Sequence, residues 1–304
     1  MKKLEFSGRE TAPAKVNLSL EVLERRPDNY HNIQSLMVTV GLCDRLSLFL
    51  RSDGRSDWRV SCDHADLPQG KKNIAYAAAL AFFDWYRINP ENYSLDLRIE
   101  KKIPHKAGLG GGSADAAATL RLLERAFFPS GDFAAMPAAY MAHEIGADVA
   151  YCYRGGTQFV SGIGEVMTEL EPFPQLPLML VKPPCDVSTK EAFAALARSE
   201  SSVAGVQLHT LLPTYKKILS ERTYFEFNGI LKNSFLPYLL EVYPETEDLL
   251  LALRQSGSLF ASLTGSGPTI FALYAKSSDL STGAALMRET FPQADVYETA
   301  IIWQ

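Results

Sequence analysis

A glycine-rich stretch that runs directly into a helical pattern constrains this chain more than any other feature. Residues 104–125 read PHKAGLGGGSADAAATLRLLER, and four glycines occupy the five positions 108–112. Glycine lets backbone N–H groups approach an anion closely, and the start of a helix leaves N–H groups unpaired. The partial positive charge there also favours an anion. The stretch therefore indicates a phosphate site, with a flexible turn before a core helix as the alternative.

Three common phosphate loops do not fit these residues. A Walker loop has a lysine after its last glycine, and none follows here. A dinucleotide fingerprint has a third glycine where this chain has Ser113, and a protein-kinase loop has a valine where Ala114 and Asp115 stand. Ser113 is predicted either to cap the helix or to offer its hydroxyl to a phosphate or to Mg²⁺. Excluding these three loops leaves the prediction of a phosphate site in place and limits which type of phosphate site it can be.

Elsewhere the hydrophobic periodicity predicts an α+β fold, because strands and helices follow one another in both halves without regular alternation. Val16, Leu18, Leu20 and Val22 alternate with polar residues, so the strand places Lys15 and Asn17 on one face. Further strands are predicted at 93–99, 149–153, 157–160 and 178–182. A longer strand at 36–50 is expected to break near Gly41, and a last strand follows the second glycine-rich turn and ends at residue 274. Helices are predicted at 73–86, at 136–145 and at 238–254. Two more are expected directly after the glycine-rich stretch and from about residue 189. We expect two domains, 1–163 and 164–304.

Composition excludes several classes of protein. The formal net charge of −5 argues against a nucleic-acid partner. The four cysteines form no C-x-x-C pair, so a zinc site is not indicated and free thiols are expected. No apolar run of 18 residues occurs, and the first residues are too polar for a signal peptide. These features predict no membrane association and a cytoplasmic location.

Several segments, read together in chain order, resemble the GHMP kinase superfamily. The glycine stretch and the later Thr-Gly-Ser-Gly-Pro at 264–268 are similar to motifs of the whole superfamily. Ala-Pro-Ala-Lys-Val-Asn at 12–17, Asp-Asn-Tyr-His at 28–31 and the triple glycine resemble one branch. That branch phosphorylates a cytidine-diphosphate-linked polyol in the non-mevalonate route to isoprenoid precursors. The segments 145–149 and 162–165 are also similar to it, and the matches span residues 12–274.

The resemblance implies a two-domain GHMP kinase fold with the active site in the cleft between the domains. It further implies ATP as co-substrate, Mg²⁺, a small-molecule substrate that contains cytidine diphosphate, and a monomer or weak homodimer. The triphosphate would be held by the loop that consists of Pro104, His105, Lys106, Ala107, Gly108, Leu109, Gly110, Gly111, Gly112, Ser113 and Ala114. Asn73 and Lys101 would border the adenine.

The resemblance also assigns the chemistry. Asp148 would accept the proton of the attacking hydroxyl, and Lys15 would keep that carboxylate ionised and stabilise charge at the transferred group. Asn17 would hydrogen-bond the substrate. Without the resemblance, Asp148 reads as a turn or cap aspartate before a strand, and Lys15 as a solvated lysine.

At the cytidine end, Tyr30 would stack on the base and His31 would hydrogen-bond it. Phe193 would cover the opposite face of the base, and plain core packing is the alternative for Tyr30 and Phe193. The turn formed by Gly265, Ser266 and Gly267 would support the site without carrying chemistry. A simple connection between two elements is its alternative.

Three positions depart from the branch's pattern. Asn29 replaces a glycine, Ala114 replaces a frequent second serine, and Ala150 replaces a proline. Two other functions stay open: another GHMP kinase acting on mevalonate or homoserine, and a non-catalytic nucleotide-binding member. The Tyr30–His31 pair argues against the first, and the presence of both Lys15 and Asp148 argues against the second.

Overall fold

The computed structural model describes residues 4–198, 211–223 and 230–303, and within these it has the mixed α+β composition predicted. The strands are β1 (Glu5–Arg25), β2 (His31–Ser52), β3 (Trp58–Cys62), β4 (Tyr93–Glu100), β5 (Thr157–Gly162), β6 (Val166–Glu169), β7 (Pro177–Lys182), β8 (Phe260–Leu263), β9 (Ile270–Leu273) and β10 (Asp295–Ala300). The helices are α1 (Ile74–Trp85), α2 (Gly111–Phe127), α3 (Ala138–Glu144), α4 (Val149–Arg154), α5 (Thr189–Arg198), α6 (Leu211–Glu221), α7 (Leu236–Val242), α8 (Glu245–Gln255) and α9 (Ser277–Thr290).

The chain divides into two compact units, and each of them is assembled from three separate segments. The first unit consists of Met1–Ala14, Cys43–His105 and Gly110–Arg154. The second consists of Lys15–Leu42, Lys106–Leu109 and Gly155–Gln304. The predicted division into 1–163 and 164–304 stays a prediction.

In the first unit, β4 lies between two partners. It pairs in parallel with β3 and antiparallel with the second part of β2, where Arg45 lies opposite Glu100. Helices α1 and α2 pack together. Their contact includes the rings of Phe83 and Phe127, whose centroids are 5.4 Å apart. The helix that carries the glycines is therefore anchored by a buried aromatic cluster.

In the second unit, β10, β7, β9 and β8 form an antiparallel sheet in that order. Its apolar face packs against helices α7, α8 and α9, with Leu239, Leu253 and Met287 fully buried. The first part of β2 pairs with β5, so that Ile33 lies opposite Gly162. This pairing brings the turn after β5 beside the start of β2.

The predicted break in β2 at Gly41 is wrong. The strand continues because the backbone just before this position is paired: Val40 bridges Ile301, and the N–H of Ile302 donates to the carbonyl of Thr39. Pairing with the end of the chain holds the backbone extended through a residue that the sequence reads as a turn.

The predicted strand at 149–153 is also wrong, because these residues form helix α4. Residues 149–152 are all buried in succession, which a half-exposed strand does not allow. Arg121 donates to the carbonyls of Cys152 and Tyr153 and so satisfies the helix end. The predicted helix 238–254 is interrupted at Pro244, which is the N-cap of α8 and separates it from α7.

Candidate active site

The glycine stretch forms a loop whose backbone passes through the left-handed region twice. Gly108 has φ +73° and Gly110 has φ +70°, and both values favour glycine. Gly110 is the N-cap residue, and α2 begins at Gly111. The prediction that Ser113 caps the helix is therefore wrong: it is the third residue of the first turn, where it is half-buried. Its hydroxyl still lies at the helix start, where backbone N–H groups lack intrahelical partners.

Within the second unit, the part of the glycine loop at residues 106–109 packs backbone against backbone on the glycine-rich turn at 264–268. A Cβ on Gly108 would lie 2.5 Å from the carbonyl oxygen of Thr264 and 3.1 Å from that of Gly267. A Cβ on Gly265 would lie 2.7 Å from the carbonyl oxygen of Gly108. Gly265 and Gly267 thus lie against Gly108, while the support that the turn is expected to give the site stays a prediction. Side chains are excluded at these contacts, so glycine is required there.

Lys15 and Asn17 belong to a buried hydrogen-bond network that reaches both loops. The backbone N–H of Lys15 donates to the carbonyl of Leu109, 3.1 Å away. Its ammonium Nζ is 2.6 Å from Oδ1 of Asn17, whose Nδ2 donates to Oγ of Ser35 at 2.7 Å. The backbone N–H of Asn17 donates to Oγ1 of Thr264. Lys15 and Asn17 are 4% and 3% exposed, which contradicts the reading of Lys15 as a solvated strand lysine.

Asp148 lies immediately before α4, so the prediction that a strand follows it is wrong. Its carbonyl accepts the N–H of Cys152, which is the first hydrogen bond of the helix. Its side chain is half-buried and follows the predicted turn at Gly146. Asp148 belongs to the first unit and Lys15 to the second, so their action on one substrate stays a prediction.

The predicted cytidine-binding residues lie in and beside the turn before β2. Asn29 has φ +71°, and asparagine is one of the few residues other than glycine that adopt this conformation readily. Its replacement of the branch's glycine therefore leaves the turn intact. Tyr30 is 61% exposed, and the ring of His31 stacks on that of Phe193 with centroids 5.3 Å apart. Phe193 also packs edge-on against Phe235, so it serves the core as well.

A pocket of about 500 Å³ opens beside the glycine loop within the second unit. Lys106 and Asp186 form an ion pair of 3.1 Å at its wall. Also lining the pocket, the hydroxyls of Ser266 and Thr189 are 2.9 Å apart. The sequence indicated Lys106 and Ser266 but missed Asp186 and Thr189, because no motif marks them.

The structure places Asn73 and Lys101 in structural contacts. Asn73 accepts the N–H of Ala75 as the N-cap of α1 and donates to the carbonyl of Pro68. Lys101 forms two ion pairs, at 2.5 Å to Asp44 and 2.7 Å to Asp115. The predicted adenine contacts of Asn73 and Lys101 stay predictions.

Burial shifts the pKa values of two residues in the cluster formed by Asp44, Lys101 and Asp115. It raises the pKa of Asp115 to about 7 against the attraction of Lys101, and the nearby Asp44 adds to the rise. Burial lowers the pKa of Lys101, but its two carboxylate partners outweigh that effect and the net shift is upward. Sequence reasoning missed Asp44 and Asp115, which the fold alone brings together.

The described residues contain no group of three or more His, Cys, Asp or Glu side chains that could hold a metal ion. Mg²⁺ prefers oxygen ligands and is commonly held by substrate phosphates and one or two protein groups. The hydroxyl of Ser113, within the glycine loop, would suit that arrangement. Over the same described ranges, no helix is long and apolar enough to cross a membrane.

Two family models match the chain. The model described as GHMP kinases N terminal domain matches residues 73–156, which include the glycine loop and Asp148. The model described as GHMP kinases C terminal matches residues 220–293, which include the second glycine loop.

Individual relatives give closer matches. Proteins named 4-diphosphocytidyl-2-C-methyl-D-erythritol kinase from Clostridium tetani and Pelotomaculum thermopropionicum are each 36% identical to this chain. The first match covers 86% of this chain and 89% of the relative, and the second covers 95% and 96%. The Bacillus subtilis protein of the same name is 34% identical, with 87% of both chains covered.

Solved structures agree with these matches. A crystal structure of 4-(cytidine 5'-diphospho)-2C-methyl-D-erythritol kinase is similar with a TM-score of 0.73 and 26% identity, covering 96% of this chain and 99% of that chain. A homoserine kinase from Cytophaga hutchinsonii has a TM-score of 0.72 at 20% identity, covering 98% and 96%, which shows a shared fold alone.

Proposed function

Because the chain belongs to the 4-diphosphocytidyl-2-C-methyl-D-erythritol kinase family of the GHMP kinases, we propose that it phosphorylates that cytidyl polyol on its 2-hydroxyl. ATP is the co-substrate that the family implies. The observation that carries the proposal is the identity of about a third of all residues over nearly the whole length of such kinases. The buried Lys15–Asn17 network, which is hydrogen-bonded to both glycine loops, supports the proposal.

The reaction asks the protein to position phosphates and to handle one proton. The oxygen of the substrate hydroxyl forms a bond to the γ-phosphorus, the bond from that phosphorus to the bridging oxygen breaks, and ADP leaves. The loop 104–114 holds the triphosphate through its backbone N–H groups and the start of α2. Asp148 takes the hydroxyl proton as the new bond forms.

Lys15 contributes a buried positive charge that a hydrogen bond to Asn17 fixes in place. A cation held before the reaction begins stabilises charge that develops at the transferred group, without reorganisation during the reaction. Asn17 is held in turn by Ser35 and Thr264, so its amide is positioned to orient the substrate.

Magnesium would reach this site on the triphosphate. Ser113 would offer it one hydroxyl oxygen, and the remaining ligands would be phosphate oxygens and water. When bound, the ion neutralises charge on the β- and γ-phosphates.

The cytidine end would be recognised by the turn before β2. Tyr30 exposes its ring for stacking on the base, and the imidazole of His31 would hydrogen-bond the edge of the base. Phe193 supports the His31 ring by stacking on it. Mevalonate and homoserine carry no base, so this turn favours the cytidyl substrate over those of the two related kinase classes.

The proposal is tested by giving the purified protein ATP and Mg²⁺ with each candidate alcohol and measuring ADP release and the phosphorylated product. Phosphorylation of the cytidyl polyol alone is expected. Release with mevalonate or homoserine instead would refute the substrate, and ATP binding without turnover on any alcohol would support a non-catalytic member. A cytoplasmic location and a monomeric or weakly dimeric state stay predictions, which fractionation and sedimentation check.

The catalytic base is tested separately with Asp148→Asn. This change keeps the shape of the side chain but removes its basicity, so kcat should fall roughly 10²-fold or more. Asp132→Asn, at an exposed position after α2, is the matched control and should leave kcat unchanged. Near-normal turnover of the Asp148 variant would place the base elsewhere and leave the proposed reaction standing.

A further inference from the structure

A buried cluster of three charged side chains lies beside the glycine loop in the first unit. The ammonium of Lys101 is 2.5 Å from Oδ2 of Asp44 and 2.7 Å from Oδ2 of Asp115. The three side chains are 9%, 0% and 5% exposed in that order. None of the three residues has a role in the chemistry proposed above, so the cost of burying these charges needs another explanation.

The cluster joins the two ends of the phosphate loop. At the entrance, Oδ1 of Asp44 accepts the backbone N–H groups of Lys102 and Ile103, at 2.5 and 2.8 Å, just before Pro104. At the exit, Asp115 directly follows Ala114 on α2 and is held by Lys101. The loop of eleven residues therefore begins and ends on one set of ion pairs.

Packing continues from the cluster to the first residue of the helix. A Cβ on Gly111 would lie 3.0 Å from Cγ2 of Ile103 and 3.4 Å from Nζ of Lys101. The start of α2 thus rests directly on the segment that Asp44 fixes. A displacement of Lys101 or Ile103 would move the N–H groups at the helix start, which are the groups proposed to hold the triphosphate.

We propose that Asp44, Lys101 and Asp115 are positioning residues, which hold both ends of the phosphate loop in its binding geometry before ATP arrives. The inference rests on the proposed function in so far as the loop binds the triphosphate. In this proposal Lys101 affects ATP binding through the backbone of the loop and does not contact the nucleotide itself. The predicted adenine contact of Asn73 is a separate matter and is not changed by the proposal.

The first experiment compares Lys101→Met with Lys102→Met in the full chain. The side chain of Lys102 is exposed, and only its backbone contacts the cluster, so its variant is the matched control. Hydrogen exchange of peptides covering 104–116 is measured without nucleotide, followed by ATP affinity and steady-state kinetics. In Lys101→Met we expect loop exchange to accelerate by roughly tenfold or more, since opening of a local segment follows the loss of its contacts.

A second pair of variants keeps the test decisive if Lys101→Met does not fold. Asp115→Asn keeps the shape of the side chain and an oxygen that can accept a hydrogen bond from Lys101, whereas Asp115→Ala removes that oxygen. We expect the Ala variant to raise the KM for ATP by about tenfold to a hundredfold, because a loop shift near 1 Å costs about that much. The Asn variant should recover most of the loss, and the KM for the alcohol should stay unchanged in both.

The outcomes separate the explanations. Faster loop exchange in the nucleotide-free protein together with a raised KM for ATP, rescued by Asn at 115, supports positioning. Unchanged loop exchange with weakened ATP binding would mean that Lys101 contacts the nucleotide directly and would overturn the inference. A lower melting temperature with unchanged loop exchange and KM would reduce the cluster to a stabilising role. Failure of the cytidyl substrate to react would appear in the wild-type assay and would leave the exchange and ATP-binding results readable.

Discussion

Gly108→Ala separates the steric requirement of the phosphate loop from the ordinary cost of a left-handed residue. At φ +73° an alanine costs about 1–2 kcal/mol in backbone strain. Its Cβ would also lie 2.5 Å from the carbonyl oxygen of Thr264, a distance that real Cβ atoms do not show. Because that oxygen belongs to backbone, no side-chain rotation relieves the contact, and the two loops must move apart. Overpacking of this kind adds about 1–3 kcal/mol.

Gly131→Ala is the matched control, since its φ is +77° and a Cβ there meets nothing within 4 Å. It should show only the backbone strain of about 1–2 kcal/mol. Gly108→Ala should exceed it by about 1–3 kcal/mol in the free energy of unfolding, measured by urea denaturation.

The same displacement should appear in the kinetics. Because the loops would separate by something near 1 Å, kcat/KM for ATP should fall on the order of 10²-fold in Gly108→Ala and stay unchanged in Gly131→Ala. If the two variants lost equal stability and kept equal kcat/KM for ATP, the backbone contact between the glycine loops would contribute neither to stability nor to ATP use. The steric argument for Gly108 would then be refuted.

Three further predictions follow from residues of the two units. Asn29→Gly should leave stability within about 0.5 kcal/mol, whereas Asn29→Ala should cost about 1 kcal/mol and raise the KM for the cytidyl substrate but not for ATP, as steady-state kinetics would show. Lys15→Met should lower kcat by about 10²–10³-fold while leaving the KM for ATP within a few-fold, and an unchanged kcat would exclude its proposed role. Since the pKa of Asp115 rises from 3.8 to about 7 on folding, the folded state binds the extra proton and stability should fall as pH rises from about 4 to 7. Asp115→Asn should flatten that slope in denaturation curves recorded across the range.

The local pattern of the sequence was sufficient for the features that depend on neighbours in the chain. The alternation around Lys15 placed it correctly on a strand with Asn17, and the glycine run correctly preceded a helix. The position of the helix start was missed by three residues. Serine is a favoured N-cap, but here the left-handed Gly110 and the packing of Gly111 on Ile103 decide where the helix begins.

Features that depend on residues far apart in the chain could not be predicted from the local sequence pattern. Asp44 is 57 residues from Lys101, and no periodicity connects them. The short apolar run after Asp148 was read as a strand, yet contacts with α2 bury consecutive residues and make it a helix. Gly41 reads as a break, but pairing with residues at the end of the chain overrides it.

The interleaving of the two units has a consequence for anyone who wishes to divide the protein. The chain passes from one unit to the other five times, after Ala14, Leu42, His105, Leu109 and Arg154. One of these passages delivers only the four residues 106–109 of the phosphate loop to the second unit. No single cleavage of the chain can release either unit as a continuous fragment, so truncated versions for expression, or split halves for complementation, would each lack strands that the other half holds. Engineering of this kinase is therefore better served by point substitutions than by domain exchange.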